Sequence, residues 1–464
     1  MRPGIPLAFQ KDGEHDVNIS TATAHGQHGG RRRRVGALKA GSLLLVAGLV
    51  LAACSSGPSH PEASKKAKQA NHHDAKSAVK KADPTTTTTV APTTTTTTKP
   101  TVVAAHSVTP TTVKPSTPTT VAAPSTPGGS LSANPTTSPA ESLTGVGASS
   151  IQPFYGRVLY QYNALNKGVS VNYSPAGSGP GVTAIEQNTA NFGQSEIPMT
   201  AAQLAASQGA VLQVPVDLGG VAISYNESCA GANLQLTGAQ LAQIYLRQIT
   251  NWNQLAPACP TSDNIVPVFR SDTSGPGYDL DQYLIDTSPA WTSAIGTTSA
   301  STTWPNAGRA SGSSGEQLNA GVATYIQQTQ GAIGYVEYSY ALEANFTNAA
   351  LQSHDGTFVS PSISTIANAG AQASSLSPTN FNIVWGSGGQ TYPLANFSWA
   401  LMYQKQSNTN IGIVLGKLFQ WVTTSGQSYS TGLGYAPLPA YAASQAHLTL
   451  LGLQTSSGQP IFTN

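Results

Sequence analysis

No G-x-S-x-G elbow occurs in the 464 residues, and the part that folds holds two histidines, His354 and His447, both in polar or loop-like surroundings. An extracellular hydrolase is the natural enzyme alternative for a chain with so many Gly-Ser pairs, but its Ser-His-acid triad has no local support. Basic residues are scarce in the same region. From Glu141 onward there are 7 Lys/Arg against 14 Asp/Glu, although the whole chain carries a formal +2. An acidic folded part lacks the basic stripe that nucleic acid requires, and net charge cannot recruit an anion to it. The apolar run from Ala40 to Ala53 is too short for a comfortable membrane span. Cysteine is nearly absent, with 3 residues, and no histidine lies near Cys229 or Cys259, which argues against a metal site. Asp279-Leu-Asp281 lacks the loop glycine and terminal glutamate of an EF-hand and reads as first-turn helix acids. There is no internal repeat.

The N-terminal third is not globular in composition. Arg31-Arg-Arg-Arg34 precedes the apolar run, which ends in Leu51-Ala-Ala-Cys54-Ser-Ser-Gly57. Basic residues, a short apolar stretch and small residues before a cleavage point define an export signal. A cysteine directly after Leu-Ala-Ala resembles the bacterial lipobox, so Cys54 is expected to carry a diacylglyceryl anchor. Met1–Gly30 are foreign to such a signal and fit a start codon placed too far upstream. A Lys/Ala segment, Lys65–Asp83, then leads into Thr/Pro runs such as Pro84-Thr-Thr-Thr-Thr-Thr-Val90. Such a stretch has too little apolar surface to offset its ordering entropy, which predicts a disordered, semi-stiff tether. The expected division is signal 1–53, tether 54–140 and folded part 141–464. With Cys54 allotted to lipid and the chain exported, Cys229 and Cys259 are expected to form a disulfide, whose loop closure contributes roughly 3–4 kcal/mol.

Within the folded part, three Gly/Ser loops each lead into an expected helix: Gly145-Val-Gly-Ala-Ser-Ser150, Gly177-Ser-Gly-Pro-Gly181 and Ser274-Gly-Pro-Gly277. A helix start presents unpaired N–H groups and a partial positive charge; glycine lets the backbone approach closely, and serine adds hydroxyl donors. Three such starts together suggest a site that grips a compact oxyanion mainly by hydrogen bonds. Pro153 suits a first turn, and Phe154, Val158, Tyr162 and Leu165 follow at helical spacing. Val169, Val171 and Tyr173 alternate as a strand, Val182 and Ile185 open a second helix, and Asn191–Glu196 is a short strand running into a loop. Val214–Tyr225 is a strand, and Leu241, Ile244, Tyr245 and Ile249 mark a helix ending near Trp252. Residues 264–269 form a strand delivering Arg270. Ala332–Val336 and Trp399–Tyr403 are strands, the neighbouring tyrosines Tyr335, Tyr338 and Tyr340 alternate on a strand, and Ile411–Val422 is a helix. This rhythm predicts an α/β sheet with ligands at helix N-termini and strand C-ends.

At these residues the chain resembles the phosphate-binding solute-binding lipoproteins of phosphate-specific ABC importers. The resemblance rests on Leu143-Thr-Gly-Val-Gly-Ala-Ser149, Gly177-Ser178, Asn191-Phe-Gly-Gln-Ser195, Ile244-Tyr-Leu with Trp252, Arg270-Ser-Asp272 with Ser274-Gly275, and Gly331-Ala-Ile-Gly-Tyr-Val-Glu-Tyr338. It implies an α/β fold of two lobes, the periplasmic-binding-protein or Venus flytrap fold, with mixed sheets flanked by helices. One lobe would take about 141–217 and 394–464, the other about 218–393. It further implies inorganic phosphate as ligand, ABC permease subunits as partners, a lipid-anchored monomer at the extracytoplasmic face, no cofactor and no catalysis. Carried over by position, Ser149 offers its hydroxyl, Ser150 its backbone N–H, Ser178 a second helix start, and Ser274 and Gly275 a third. Arg270 makes the guanidinium contact, held by Asp272.

Two positions depart from the family pattern. Glu196 stands where the family has aspartate. A carboxylate there accepts a proton from phosphate and repels sulfate, but the extra methylene forces the lobes or the anion to shift. Pro276 stands where the family has threonine and removes up to two donors, a loss of roughly 2–4 kcal/mol unless Gly277 or water substitutes. These departures, with the tether, keep open a wall-associated surface protein of the same fold whose pocket is degenerate or takes another oxyanion.

Overall fold

The computed structural model describes residues 132–133, 139–297, 312–372 and 382–463. All of them fall in one compact unit, Thr111–Asn464. The expected export signal, Cys54 and most of the expected tether lie outside the described residues. Ser132–Ala133, inside the stretch expected to be tether, instead pair antiparallel with Phe462–Thr463.

The first half begins with strand β1 (Glu141–Gly147), helix α1 (Gln152–Leu165), β2 (Val169–Pro175), α2 (Ser178–Glu186) and β3 (Phe192–Ser195). β1 is parallel to both β2 and β3. Pro153 sits in the first turn of α1, where its missing N–H costs no helical bond. Phe154, Val158 and Tyr162 are buried as their spacing predicts, whereas Leu165, the last residue of the helix, is 67% exposed.

The long strand β4 (Val211–Asn226) comes next, followed by α3 (Gly238–Tyr245), β5 (Val266–Arg270), α4 (Gly275–Thr287), β6 (Ser314–Glu316), α5 (Leu318–Gln328), β7 (Ala332–Glu337) and α6 (Tyr338–Glu343). The chain then returns through β8 (Ala395–Tyr403), α7 (Thr409–Val422) and α8 (Ala440–Leu450). The principal sheet runs β2-β1-β3-β8-β4-β7-β5-β6. β4 belongs to both halves: Val211–Gly220 pair with β8 and Val221–Asn226 with β7, both antiparallel. One apolar cluster, including Leu143, Phe154, Val171, Phe192, Ile413 and Phe419, fills the first half. Another gathers Leu241, Trp252, Tyr283 and Trp291 in the second. Each such side chain, fully buried, contributes about 1.5–3 kcal/mol.

Three local expectations are corrected. The helix expected to run to Trp252 ends at Tyr245, because Arg247 takes a left-handed φ of 60°. Asn251 then caps a separate 3-10 turn at Trp252–Gln254. Tyr338 and Tyr340 lie on α6 rather than on a strand; only Tyr335 stays in β7. Asp279 and Asp281 are not first-turn acids: both are buried inside α4, where Asp279 Oδ2 accepts from Asn396 Nδ2 at 2.7 Å and Asp281 Oδ1 from Trp291 Nε1 at 2.6 Å. Cys229 and Cys259 are joined as a disulfide, with Cα atoms 5.0 Å apart and a sequence separation of 30.

Candidate functional site

Each Gly/Ser loop follows a strand and opens a helix, and the three openings meet. Gly147 ends β1 next to the Gln194 backbone, so that a Cβ there would overlap it; Ala148 N–H then donates to the Gln194 carbonyl at 3.0 Å. This turn delivers Ser149 and Ser150 to the start of α1. Gly177, with φ of 102°, delivers Ser178 as the first residue of α2. β5 delivers Arg270, and Ser274 caps α4 by accepting from Gly277 N–H at 3.1 Å. That bond commits the Gly277 amide, so it is not the spare donor expected to make good the loss at Pro276. Ser149, Ser150, Ser178, Glu196, Arg270 and Ser274 are all at most 4% exposed.

Glu196 lies at the centre. Its Oε1 accepts from the Ser150 hydroxyl and, at 3.3 Å, from Ser398 Oγ; its Oε2 accepts from Ser178 Oγ at 3.5 Å. Its side chain fills the place a Cβ on Gly275 would take, so the carboxylate rests on the first residue of α4. The Ser150 hydroxyl is thus engaged with Glu196, while its backbone N–H is the group expected to face the anion. Burial pushes the Glu196 carboxyl above the ordinary glutamate value, and the Ser150 bond and the Arg270 charge offset only part of that rise. Behind it, Tyr155 OH donates to Gln194 Oε1 at 2.7 Å and Gln194 Nε2 to Ser398 Oγ at 2.6 Å, which fixes the hydroxyl that reaches Glu196.

Arg270 is fixed from two sides. Its Nε donates to Asp272 Oδ1 at 2.7 Å and its Nη2 to Asp272 Oδ2, while its backbone N–H donates to Tyr335 OH at 2.8 Å. Burial raises the Asp272 carboxyl, but the Arg270 bonds and charge outweigh it and leave it below the ordinary value. The remaining guanidinium nitrogen, Nη1, is buried without a hydrogen-bond partner among the described residues. A buried donor of this kind costs free energy unless something fills its bonding capacity.

Contacts between the halves converge on the same place. Asn319, in the first turn of α5, donates from its backbone N–H and Nδ2 to Ser149 Oγ at 3.3 and 3.1 Å. Tyr340 OH donates to the Ser149 carbonyl at 2.8 Å, and Gly179 N–H to the Thr273 carbonyl at 3.4 Å. Asn319, Tyr340 and Ser398 were missed from the sequence, since none lies in a Gly/Ser loop. Of the two histidines of the folded part, His447 Nδ1 lies 3.1 Å from Gln420 Oε1 and the His354 ring packs on Trp385. Among the described residues, Glu227, Cys229 and Asp263 form a close grouping of ligand-type side chains, but the sulfur is committed to the disulfide.

Residues 132–425 match the model of the PBP superfamily domain. The chain is 33% identical over 306 residues to the phosphate-binding protein PstS of Xylella fastidiosa (strain 9a5c), which covers 64% of this chain and 81% of that protein. It is 33% identical over 310 residues to the phosphate-binding protein PstS of Pasteurella multocida (strain Pm70), 65% of this chain and 87% of that one. The fold is similar to that of a phosphate-binding protein from Stenotrophomonas maltophilia (TM-score 0.54, 20% identity, 67% of this chain and 94% of that one). It is also similar to the periplasmic phosphate-binding protein PfluDING (TM-score 0.56, 22% identity, 66% and 93%). With its two-halved mixed sheet, its crossing strand and three helix starts converging between the halves, the chain belongs to the PBP superfamily, in the family of solute-binding proteins that the PstS phosphate-binding proteins represent.

Proposed function

We propose that this protein captures inorganic phosphate outside the cell membrane and hands it to an ABC permease. It is held at the extracytoplasmic face by a lipid on Cys54 and acts as a monomer without cofactor or catalysis. The proposed organisation is signal 1–53, a tether from Cys54 to about the paired Ser132–Ala133, one lobe of about 141–217 with 394–464, and a second of about 218–393. The observation that carries this reading is the buried Arg270 Nη1, which among the described residues has no hydrogen-bond partner, beside the serine hydroxyls of three helix starts. A guanidinium fork matches a tetrahedral oxyanion, and each charge-assisted bond contributes about 1.5–3 kcal/mol. The seven proposed contacts are Ser149, Ser150, Ser178, Glu196, Arg270, Ser274 and Gly275, with Asp272 holding the arginine. Selectivity against sulfate follows from Glu196, which can accept a proton from phosphate but only repels an anion that has none to give.

Among the described residues no helix is long and apolar enough to cross a membrane. Calorimetric titration of the protein, first with phosphate and then with sulfate, tests the reading. Saturable heat with phosphate and none with sulfate is expected. Pro276 and the Glu196 carboxylate lying on α4 favour a second reading, the same fold with a degenerate pocket or one for another oxyanion. Silence toward millimolar phosphate, in the wild type and in Glu196→Asp alike, would remove the first reading and favour that one.

A further inference from the structure

The Glu196 side chain occupies a position of its own chemical kind. Three serine hydroxyls, from the start of α1, the start of α2 and from β8, point their donors at its two oxygens. Its Oε2, Cδ and Cβ lie where a side chain on Gly275 would be, against the first turn of the 13-residue α4. Arg270 acts on it as the opposite charge, with Nη1 still without a hydrogen-bond partner among the described residues. Hydroxyl donors, a helix start and a guanidinium are the set that a tetrahedral oxyanion would use. A small neighbouring cavity beside Glu196 and Asp279 has room for about one water.

We infer that Glu196 is a tethered resident anion: its carboxylate holds the seat between Ser150, Ser178 and Gly275, and an incoming oxyanion must displace it to bind. The extra methylene carries the carboxylate into that seat; an aspartate, one bond shorter, would stop before it and still accept a proton from the guest. This inference rests on reading the cleft as a phosphate site. Its consequence is that affinity is set by how often the side chain withdraws. The apparent dissociation constant equals the intrinsic one divided by the fraction of molecules whose seat is open.

Calorimetric titration of the wild-type protein and Glu196→Asp with phosphate separates the possibilities. The aspartate variant should bind at least about tenfold more tightly, an open fraction of one tenth or less in the wild type. Equal affinities, or weaker binding by the variant, would overturn the tethered anion while leaving phosphate binding intact. No binding by either protein would overturn the phosphate reading, and the inference with it. A crystal structure of phosphate-loaded wild type gives a second readout that needs no variant. Ser150 Oγ should donate to the anion, with the Glu196 carboxylate moved off Gly275. A carboxylate still on Ser150 beside bound phosphate would refute the displacement.

Discussion

At the scale of single residues, the cleft sets the Arg270 guanidinium against the Glu196 carboxylate, on which it acts as the opposite charge. Among the described residues Arg270 is the only buried arginine, and Asp272 uses up two of its nitrogens. Arg270→Ala should therefore raise the phosphate dissociation constant at least about tenfold, the loss of one charge-assisted bond or more. Calorimetry reads this directly, and an unchanged constant would place the anion elsewhere. Most of the seven proposed contacts were legible because Gly/Ser loops carry a physical requirement: close backbone approach, with donors, at a helix start. Asn319, Tyr340 and Ser398 were not, because each reaches the cleft from an element with no such signature and matters only through tertiary placement. The role of Glu196 was half legible. Its extra length was visible in the sequence, but where that length would carry the carboxylate required the position of Gly275.

At the scale of elements, the starts of helices do more than face a guest; they are finished by their own side chains. Ser274 closes α4 by accepting from Gly277 N–H, and Pro276 fits because a first-turn residue has no intrahelical bond to lose. Ser274→Ala should lower stability by about 0.5–2 kcal/mol in the absence of any ligand, measured by denaturant unfolding. A variant as stable as wild type would show the cap to be idle. Strand and helix types followed closely from periodicity, as with the alternation of Val169 and Val171 and the apolar stripe of α7. Ends were harder. The helix expected to reach Trp252 stops because Arg247 turns left-handed, a conformation that apolar spacing does not encode. Tyr338 and Tyr340 kept the alternation of the preceding strand on paper, yet the chain bends into α6 at Glu337, and that turn alone brings Tyr340 to Ser149.

At the scale of the whole molecule, buried carboxyls collect where the halves join. Gly220 N–H donates to Glu337 Oε1 at 2.8 Å, while Glu337 Oε2 and Asp217 Oδ1 are buried without hydrogen-bond partners among the described residues. Burial, reinforced by neighbouring carboxylates, pushes Asp217 and Glu337 well above their ordinary values; burial does the same for Asp279 despite its bond from Asn396. The sign follows from proton counting. Above the unfolded carboxyl values near 4 and below the raised folded ones, the native protein binds more protons than the unfolded chain, so stability declines as pH rises through that window. Asp272, held below its ordinary value, contributes the opposite slope, but only in more acidic solution. Thermal melts should give a higher Tm at pH 5 than at pH 8, and Asp217→Asn should shrink the difference; a higher Tm at pH 8 would contradict the sign. β4 has a further consequence for how the molecule can be divided. Because one continuous strand is paired with β8 along Val211–Gly220 and with β7 along Val221–Asn226, giving it whole to either half would strip the other of a pairing partner and leave a raw sheet edge open to aggregation.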